Sequence, residues 1–223
     1  MKIKGAIFDM DGTLVDSLMF WDYLWRQIGI KYMNDEGFRA CEEVDKNVRT
    51  MIYSDAMKYV REYYAIPCTE RDFLKFATDG LENFYRYEVK VKAGAHELLS
   101  ALKSKNIKLC LASASIMEHI KIALDACGLT EYFDCIFSCA DIGVGKERPD
   151  IYIKAKDALG FDISDICVIE DSFVAIETAK GAGFLTVGVF DKYSFDQNRL
   201  RASSDIYVGE KSSLDILINS LEK

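Results

Sequence analysis

Asp9 and Asp11 stand one residue apart at the end of the apolar run 3–8, and Gly12 follows at once. On a continuing strand, carboxylates two positions apart point to the same side. Two such charges repel, and one of them is driven neutral unless a cation joins them. The pair therefore calls for either Mg²⁺ or a shared proton, and phosphoryl transfer can use both. In that chemistry Asp9 attacks phosphorus as a carboxylate, while Asp11 gives a proton to the leaving oxygen and later takes one from water. The turning backbone after Gly12 adds N–H groups that suit an anion. Asp-x-Asp-Gly by itself is more often a polar turn after a buried strand, so the other groups of such a site have to be found elsewhere in the chain.

Phosphoryl transfer needs positive charge and hydrogen-bond donors on the phosphate oxygens. Three later segments offer them. In Leu-Ala-Ser-Ala-Ser at 111–115 an apolar run ends in small residues before a helical stretch. There the Ser113 hydroxyl and the backbone N–H groups around Ala114 can bind phosphate, although an ordinary helix cap uses the same residues. In Gly-Val-Gly-Lys-Glu-Arg-Pro-Asp at 143–150 the glycines allow close approach and Lys146 supplies a point charge, where a single loop lysine is otherwise commonly solvated. In Val-Ile-Glu-Asp-Ser at 168–172 two adjacent acids, Glu170 and Asp171, precede a helix. They can cap it, at about 0.5–2 kcal/mol for a good cap. In the same sheet as Asp9 and Asp11 they would also complete an oxygen-rich shell suited to Mg²⁺.

The stretch 8–17, Phe-Asp-Met-Asp-Gly-Thr-Leu-Val-Asp-Ser, closely resembles the first motif of the haloacid dehalogenase superfamily of hydrolases and phosphatases. The three later segments resemble its second, third and fourth motifs, in the family's order and over most of the chain. The resemblance implies that Asp9 is the nucleophile and Asp11 the acid/base. The dehalogenases that name the family lack the second Asp, whereas its phosphatases and phosphomutases have it, which points to phosphoryl transfer. It further implies Ser113 as the Ser or Thr of the second motif, Lys146 as the lysine of the third, and acids such as Asp171 and Glu170 as metal holders. A Mg²⁺ site of Asp9, Asp11, Glu170 and Asp171 is thus expected. Glu147 stands where the third motif usually has its first proline.

Positioning these groups at one place requires particular elements. Runs at 108–112, 134–138, 166–170, 185–190 and 205–208 read as strands, and between most of them lie amphipathic helical stretches at 95–104, 116–127, 151–159 and 173–182. Strands alternating with helices predict a parallel sheet covered on both faces, to which the strand at 3–8 also belongs. Residues 17–90 are helical in pattern instead. Trp21, Leu24, Trp25 and Ile28 form one stripe; Val48, Met51, Ile52, Ala56, Tyr59, Val60 and Tyr63 a second; Phe73, Phe76, Ala77, Leu81 and Phe84 a third behind the capping box 69–72. The expected fold is therefore α/β, a Rossmann-like parallel sheet core at 1–16 and 91–223 with an inserted small α-helical cap domain at 17–90. Such a cap belongs over the carboxyl ends of the strands, where an open α/β sheet binds its ligand, with hinges near Ser17 and Val91.

Size and composition fit this plan. With 223 residues, half of them apolar, the chain can bury a sizeable core and still carry an insert. Its formal net charge is −8, from 36 acidic and 28 basic residues, and no basic run stands out, which argues against nucleic acid as a partner. Seven cysteines, at 41, 68, 110, 127, 135, 139 and 167, include no Cys-x-x-Cys pair, and several sit inside apolar runs as small buried hydrophobes. Reduced thiols, no secretory apolar core near the start and no apolar stretch of about 18–20 residues lead to the expectation of a soluble cytoplasmic protein without a membrane partner.

The expected activity is Mg²⁺-dependent hydrolysis of a phosphoric monoester in a small phosphorylated metabolite, through an aspartyl-phosphate. The alternative is a sugar-phosphate mutase like β-phosphoglucomutase. Such mutases commonly have a His five residues beyond Asp16, where this chain has Trp21, and an apolar residue in place of Thr13. Lys46 and Arg49, near the start of the second cap helix, could grip an anionic or hydroxylated substrate, or else be part of a charged solvent face. A phospho-acceptor domain without enzymatic turnover also combines acidic strand ends, a lysine and Mg²⁺, but Asp11 and the helical insertion speak against it. Oligomeric state is left open, and a monomer is compatible with the sequence.

Overall fold

The computed structural model describes residues 3–49, 51 and 53–221. Its sheet has six strands, β1 (Gly5–Phe8), β2 (Lys108–Ser113), β3 (Cys135–Ser138), β4 (Ile166–Glu170), β5 (Leu185–Val189) and β6 (Ile206–Val208), in the order β3-β2-β1-β4-β5-β6. Every neighbouring pair is parallel. The expected α/β class and Rossmann-like sheet are therefore present. β1 starts at Gly5 rather than residue 3, because the Lys4 N–H already leaves the ladder for the Asp165 carbonyl at 2.8 Å.

Parallel strands with helices on both faces must be apolar on both sides, and these are. All four residues of β1 are buried, as are all five of β4. Ile7, Cys110, Ala112, Ile166 and Val168 pack with Tyr152, Ala155 and Leu159 from the helix Asp150–Leu159 and with Ala175 and Ala179 from Phe173–Gly181. Each fully buried Ile, Val or Leu here is worth about 1.5–3 kcal/mol relative to exposure. All seven cysteines are free thiols, and Cys110 and Cys167 fill the core as small hydrophobes. No helix among the described residues is long and apolar enough to cross a membrane.

Strand order decides where a ligand can go. The chain builds outward from β1 through β2 to β3, then returns to the other side of β1 to lay down β4. Connections diverge at this switch point, so a crevice opens beyond the carboxyl ends of β1 and β4. Phe8 pairs with Ile169, which brings Asp9 and Glu170 to the same level at its mouth.

Two compact units are formed, Met1–Leu18 with Val89–Lys223, and Met19–Glu88. In the first, the segments leading to and from the insertion pair with one another. Val15 and Val91 bridge antiparallel, Asp16 N–H donates to Lys90 O at 2.8 Å, and Lys92 N–H donates to Leu14 O at 2.9 Å.

The second unit is helical. Helix Phe20–Ile28 buries Phe20, Leu24, Trp25 and Ile28, while Trp21 is half-buried. Helix Glu70–Tyr87 starts at Thr69, whose Oγ1 accepts the Asp72 N–H at 3.1 Å, and it buries Phe73, Ala77, Leu81, Phe84 and Tyr85. The expected second stripe is broken. Val48 ends a short helix, Glu42–Val48, and a separate helix, Tyr53–Tyr63, buries Ala56, Met57 and Val60. Met51 and Tyr63 are exposed, and Ile52 lies outside the described residues. Glu42, Glu43 and Asp45 start the short helix early, since acids in the first turn favour its positive end. Lys46 and Arg49 therefore sit at its closing end, not at the start of the next helix as the sequence had led one to expect.

Candidate active site

The strand character of β1 ends at Phe8, but Asp9 stays in register, its N–H donating to Ile169 O at 3.0 Å. The chain then folds into a tight turn in which the N–H groups of Leu14 and Val15 both donate to Met10 O, at 2.9 and 3.1 Å. Gly12 makes that turn possible at φ +83°, in the left-handed region that costs glycine nothing. A Cβ on Gly12 would stand 2.6 Å from Asp171 Oδ2, so the absent side chain also lets that carboxylate approach the turn.

The turn separates the two acids that a continuing strand would have held side by side. Asp9 faces Glu170 and Asp171, and one oxygen from each of the three carboxyl groups lies within 4.8 Å of the others. Asp11 turns elsewhere, with Ser17 Oγ donating to Oδ1 at 2.6 Å and Ser115 Oγ donating to Oδ2 at 2.8 Å. Of the four carboxylates expected around a metal, the structure gathers three and places the fourth beside two hydroxyls.

Lys146 Nζ donates to both Asp9 Oδ1 and Glu170 Oε1. Glu170 is fixed on all sides: Tyr152 OH donates to Oε1 at 3.2 Å, and Oε2 accepts the N–H groups of Asp171 and Ser172 at 3.1 and 3.2 Å. One oxygen thus closes the turn into helix Phe173–Gly181 while the other faces the site, and Ser172 itself caps the helix by accepting the Ala175 N–H. Asp171 receives Thr13 Oγ1 on Oδ1 at 3.2 Å and Ser194 Oγ on Oδ2.

The charge balance of this cluster is unfavourable without a further cation. Burial pushes the Asp9 carboxyl well above the usual carboxylate range; Lys146 opposes the shift, and Glu170, Asp171 and Asp11 add to it. Asp171 is pushed up to about 7 by burial and by Glu170, with the Ser194 hydrogen bond working the other way. Burial disfavours the Lys146 ammonium, yet Asp9 and Glu170 hold its pKa well above the ordinary lysine value. Three buried carboxylates with oxygen donors only are what a hard divalent cation requires. The residues fit such an ion, with Asp9, Glu170 and Asp171 as its holders.

These shifts give the protein a pH dependence of known sign. Asp171 takes up its proton near 7 when folded and near 3.8 when unfolded, so the folded chain binds more protons between those limits. Stability therefore falls as pH rises through that window, and Asp9 acts in the same direction. The melting temperature of chelator-treated protein is expected to drop between about pH 5 and about pH 8, with part of the slope removed in Asp171→Asn. Mg²⁺ must displace those protons, so it should raise the melting temperature strongly at the alkaline end and weakly at the acid end. Equal Mg²⁺ effects at both ends would contradict the assignment.

Ser113 lies fully buried at the end of β2, and its Oγ accepts the Ser115 N–H at 3.1 Å. That turn leaves Ala114 exposed and aims the Ser115 hydroxyl at Asp11. Glu147, in the position of the customary proline, folds its carboxylate back over Gly145, where a Cβ would meet Oε2 at 2.3 Å. Arg148 is exposed and forms a fork with Asp150, both contacts at 3.2 Å. In the helical unit Lys46 is exposed, whereas Arg49 is held by Asp45 through Nε at 2.9 Å and Nη2 at 3.1 Å and lies 6.0 Å from the Trp21 ring centre.

Sequence reasoning missed Ser115, Tyr152 and Ser194 as partners of the carboxylates. Ser115 had a visible signal, a second hydroxyl two residues after Ser113. Tyr152 follows Asp150 by two positions in a helix whose apolar face hides its hydroxyl, and Ser194 belongs to none of the four motif segments.

Comparison with known proteins places this site in context. A model of the family described as haloacid dehalogenase-like hydrolase matches residues 3–183. A phosphorylated carbohydrates phosphatase of Thermotoga maritima is 26% identical over 96% of this chain and 98% of its own length. A β-phosphoglucomutase of Bacillus subtilis is 26% identical over 96% of this chain and 92% of its own. Among solved structures, one described as a putative β-phosphoglucomutase from Thermotoga maritima superposes with a TM-score of 0.81 at 25% identity, covering 99% of this chain and 98% of that one.

Proposed function

The chain belongs to the haloacid dehalogenase-like hydrolases, and on that premise we propose that it is a Mg²⁺-dependent phosphoric monoester hydrolase acting on a small phosphorylated metabolite through an aspartyl-phosphate. The convergence of Asp9 with Glu170, Asp171 and Lys146 carries this reading. A free Asp9 oxygen attacks phosphorus and the bond to the leaving oxygen breaks. Asp11, positioned by Ser17 and Ser115, protonates that oxygen. Asp11 then takes a proton from the water that attacks the aspartyl-phosphate, which frees inorganic phosphate and restores Asp9. Lys146 opposes the upward pull of burial on Asp9 and lies ready for a phosphate oxygen, with Ser113 and the backbone at Ala114 as further phosphate holders. Asp9, Glu170 and Asp171 would hold Mg²⁺, which when bound would supply positive charge to offset that of the phosphate and the carboxylates.

The inserted helical unit is assigned the choice of substrate as a cap domain. Of the two cations expected there, Lys46 is exposed, while Arg49 already serves Asp45 and is a less ready ligand. The relative named for phosphorylated carbohydrates makes sugar phosphates the first class to try.

The mutase relative favours a second reading, sugar-phosphate mutation. Trp21 speaks against it, because an indole N–H can donate but has no basic nitrogen to handle a proton where the mutases commonly carry His. Incubation with α- or β-glucose 1-phosphate and Mg²⁺, followed by phosphorus NMR, separates the two. Inorganic phosphate without a 6-phosphate is the expected result; accumulation of the 6-phosphate would establish the mutase, and a phosphoprotein that persists without turnover would establish a phospho-acceptor.

A further inference from the structure

Asp171 is held by hydroxyls on both oxygens, and one of them comes from far outside the motifs. Ser194 lies on the segment after β5, which is built as a rigid loop. Asp191 is buried beneath it at 5% exposure, and its Oδ2 pairs with Lys92 Nζ at 2.7 Å. The same ammonium donates to Phe190 O at 3.2 Å. Asp191 Oδ1 accepts the Tyr193 N–H at 2.9 Å, and Asp191 O accepts the Ser194 N–H at 3.1 Å. Gln197 Nε2 ties down Asp191 O and Ser194 O at 3.0 and 3.3 Å, and Tyr207 OH donates to Gln197 Oε1 at 3.1 Å. A solvent-facing serine would need none of this support.

We propose that Ser194, on a loop anchored by the Lys92–Asp191 pair, is the positioning residue that fixes Asp171 as a ligand for the divalent cation. Each Asp171 oxygen accepts one hydroxyl, which locks the rotation of the carboxylate and leaves its remaining lone pairs to converge with those of Asp9 and Glu170. The inference rests on the Mg²⁺ reading of the site.

Calorimetric titration of the 223-residue chain with MgCl₂, without substrate, tests it. Ser194→Ala should weaken Mg²⁺ binding about tenfold, in the range found for groups that orient metal ligands. Ser194→Thr, which keeps the hydroxyl, should recover most of that loss. In turnover, the Mg²⁺ concentration for half-maximal rate should rise more than kcat falls. Lys92→Met, which does not touch Asp171, should weaken Mg²⁺ in the same direction and reads the same proposal if Ser194→Ala does not fold. Ser194→Ala or Lys92→Met with unaltered Mg²⁺ affinity, beside an unsubstituted protein that binds saturably, would overturn the positioning role alone. No saturable binding to the unsubstituted protein would overturn the metal reading and this proposal with it.

Discussion

Asp9→Asn is expected to lower kcat on an aryl phosphate by about 10⁴-fold or more, the scale on which loss of an attacking group is felt. The substitution keeps shape and removes the nucleophilic oxygen. It also removes one of three crowded buried carboxylates, and Lys146 retains Glu170 as a partner. The chain should therefore stay folded, with a melting temperature at neutral pH no lower than that of the unsubstituted protein under chelator. A collapse in rate with stability preserved is the signature of a group retained for chemistry rather than for folding. Phosphate release and mass spectrometry of the acid-quenched enzyme are the readouts. Turnover equal to that of the unsubstituted protein, or a phosphorylated Asp9→Asn chain, would refute the covalent route.

What the sequence disclosed and what it hid divide along a physical line. Apolar runs ending in acids or small residues gave the strand ends, because a parallel strand buried on both faces has few other ways to be written. Ile166–Glu170 and Ala95–Ser104 have the bounds that pattern implied. The direction of Asp11 was hidden, since alternation says nothing once the strand has ended, and β1 ends at Phe8. Ser194 and Asp191 were hidden for another reason: their partners are 23 and 99 residues away, at Asp171 and Lys92, and no local spacing records such contacts. In the helical unit, a hydrophobic stripe counted across 48–63 ran over a break, because the acid-rich start at Glu42 and the Asp45–Arg49 pair close a short helix first.

Lys146 provides the second large effect, and its two possible roles predict different magnitudes. A solvated loop lysine changed to Met would alter stability within about 0.5 kcal/mol. The Lys146 side chain is only 12% exposed and touches two buried carboxylates. Its removal leaves Asp9 and Glu170 facing each other without compensation, and breaking a buried pair in this way costs about 3–5 kcal/mol. Lys146→Met in chelator should show a loss of that order at alkaline pH, smaller at acid pH, where the carboxyls can take up protons instead. Since Lys146 is what opposes the upward shift of Asp9, the nucleophile should become still harder to ionise. Activity should then fall about 10²–10³-fold, and the acid limb of the pH–rate profile should move to higher pH. Lys146→Arg should not restore either property, because a planar fork cannot place one point charge between two oxygens already in contact with it. A Lys146→Met protein that is as stable and as active as the original, with its pH profile unmoved, would show that neither the fold nor the ionisation of Asp9 depends on Lys146.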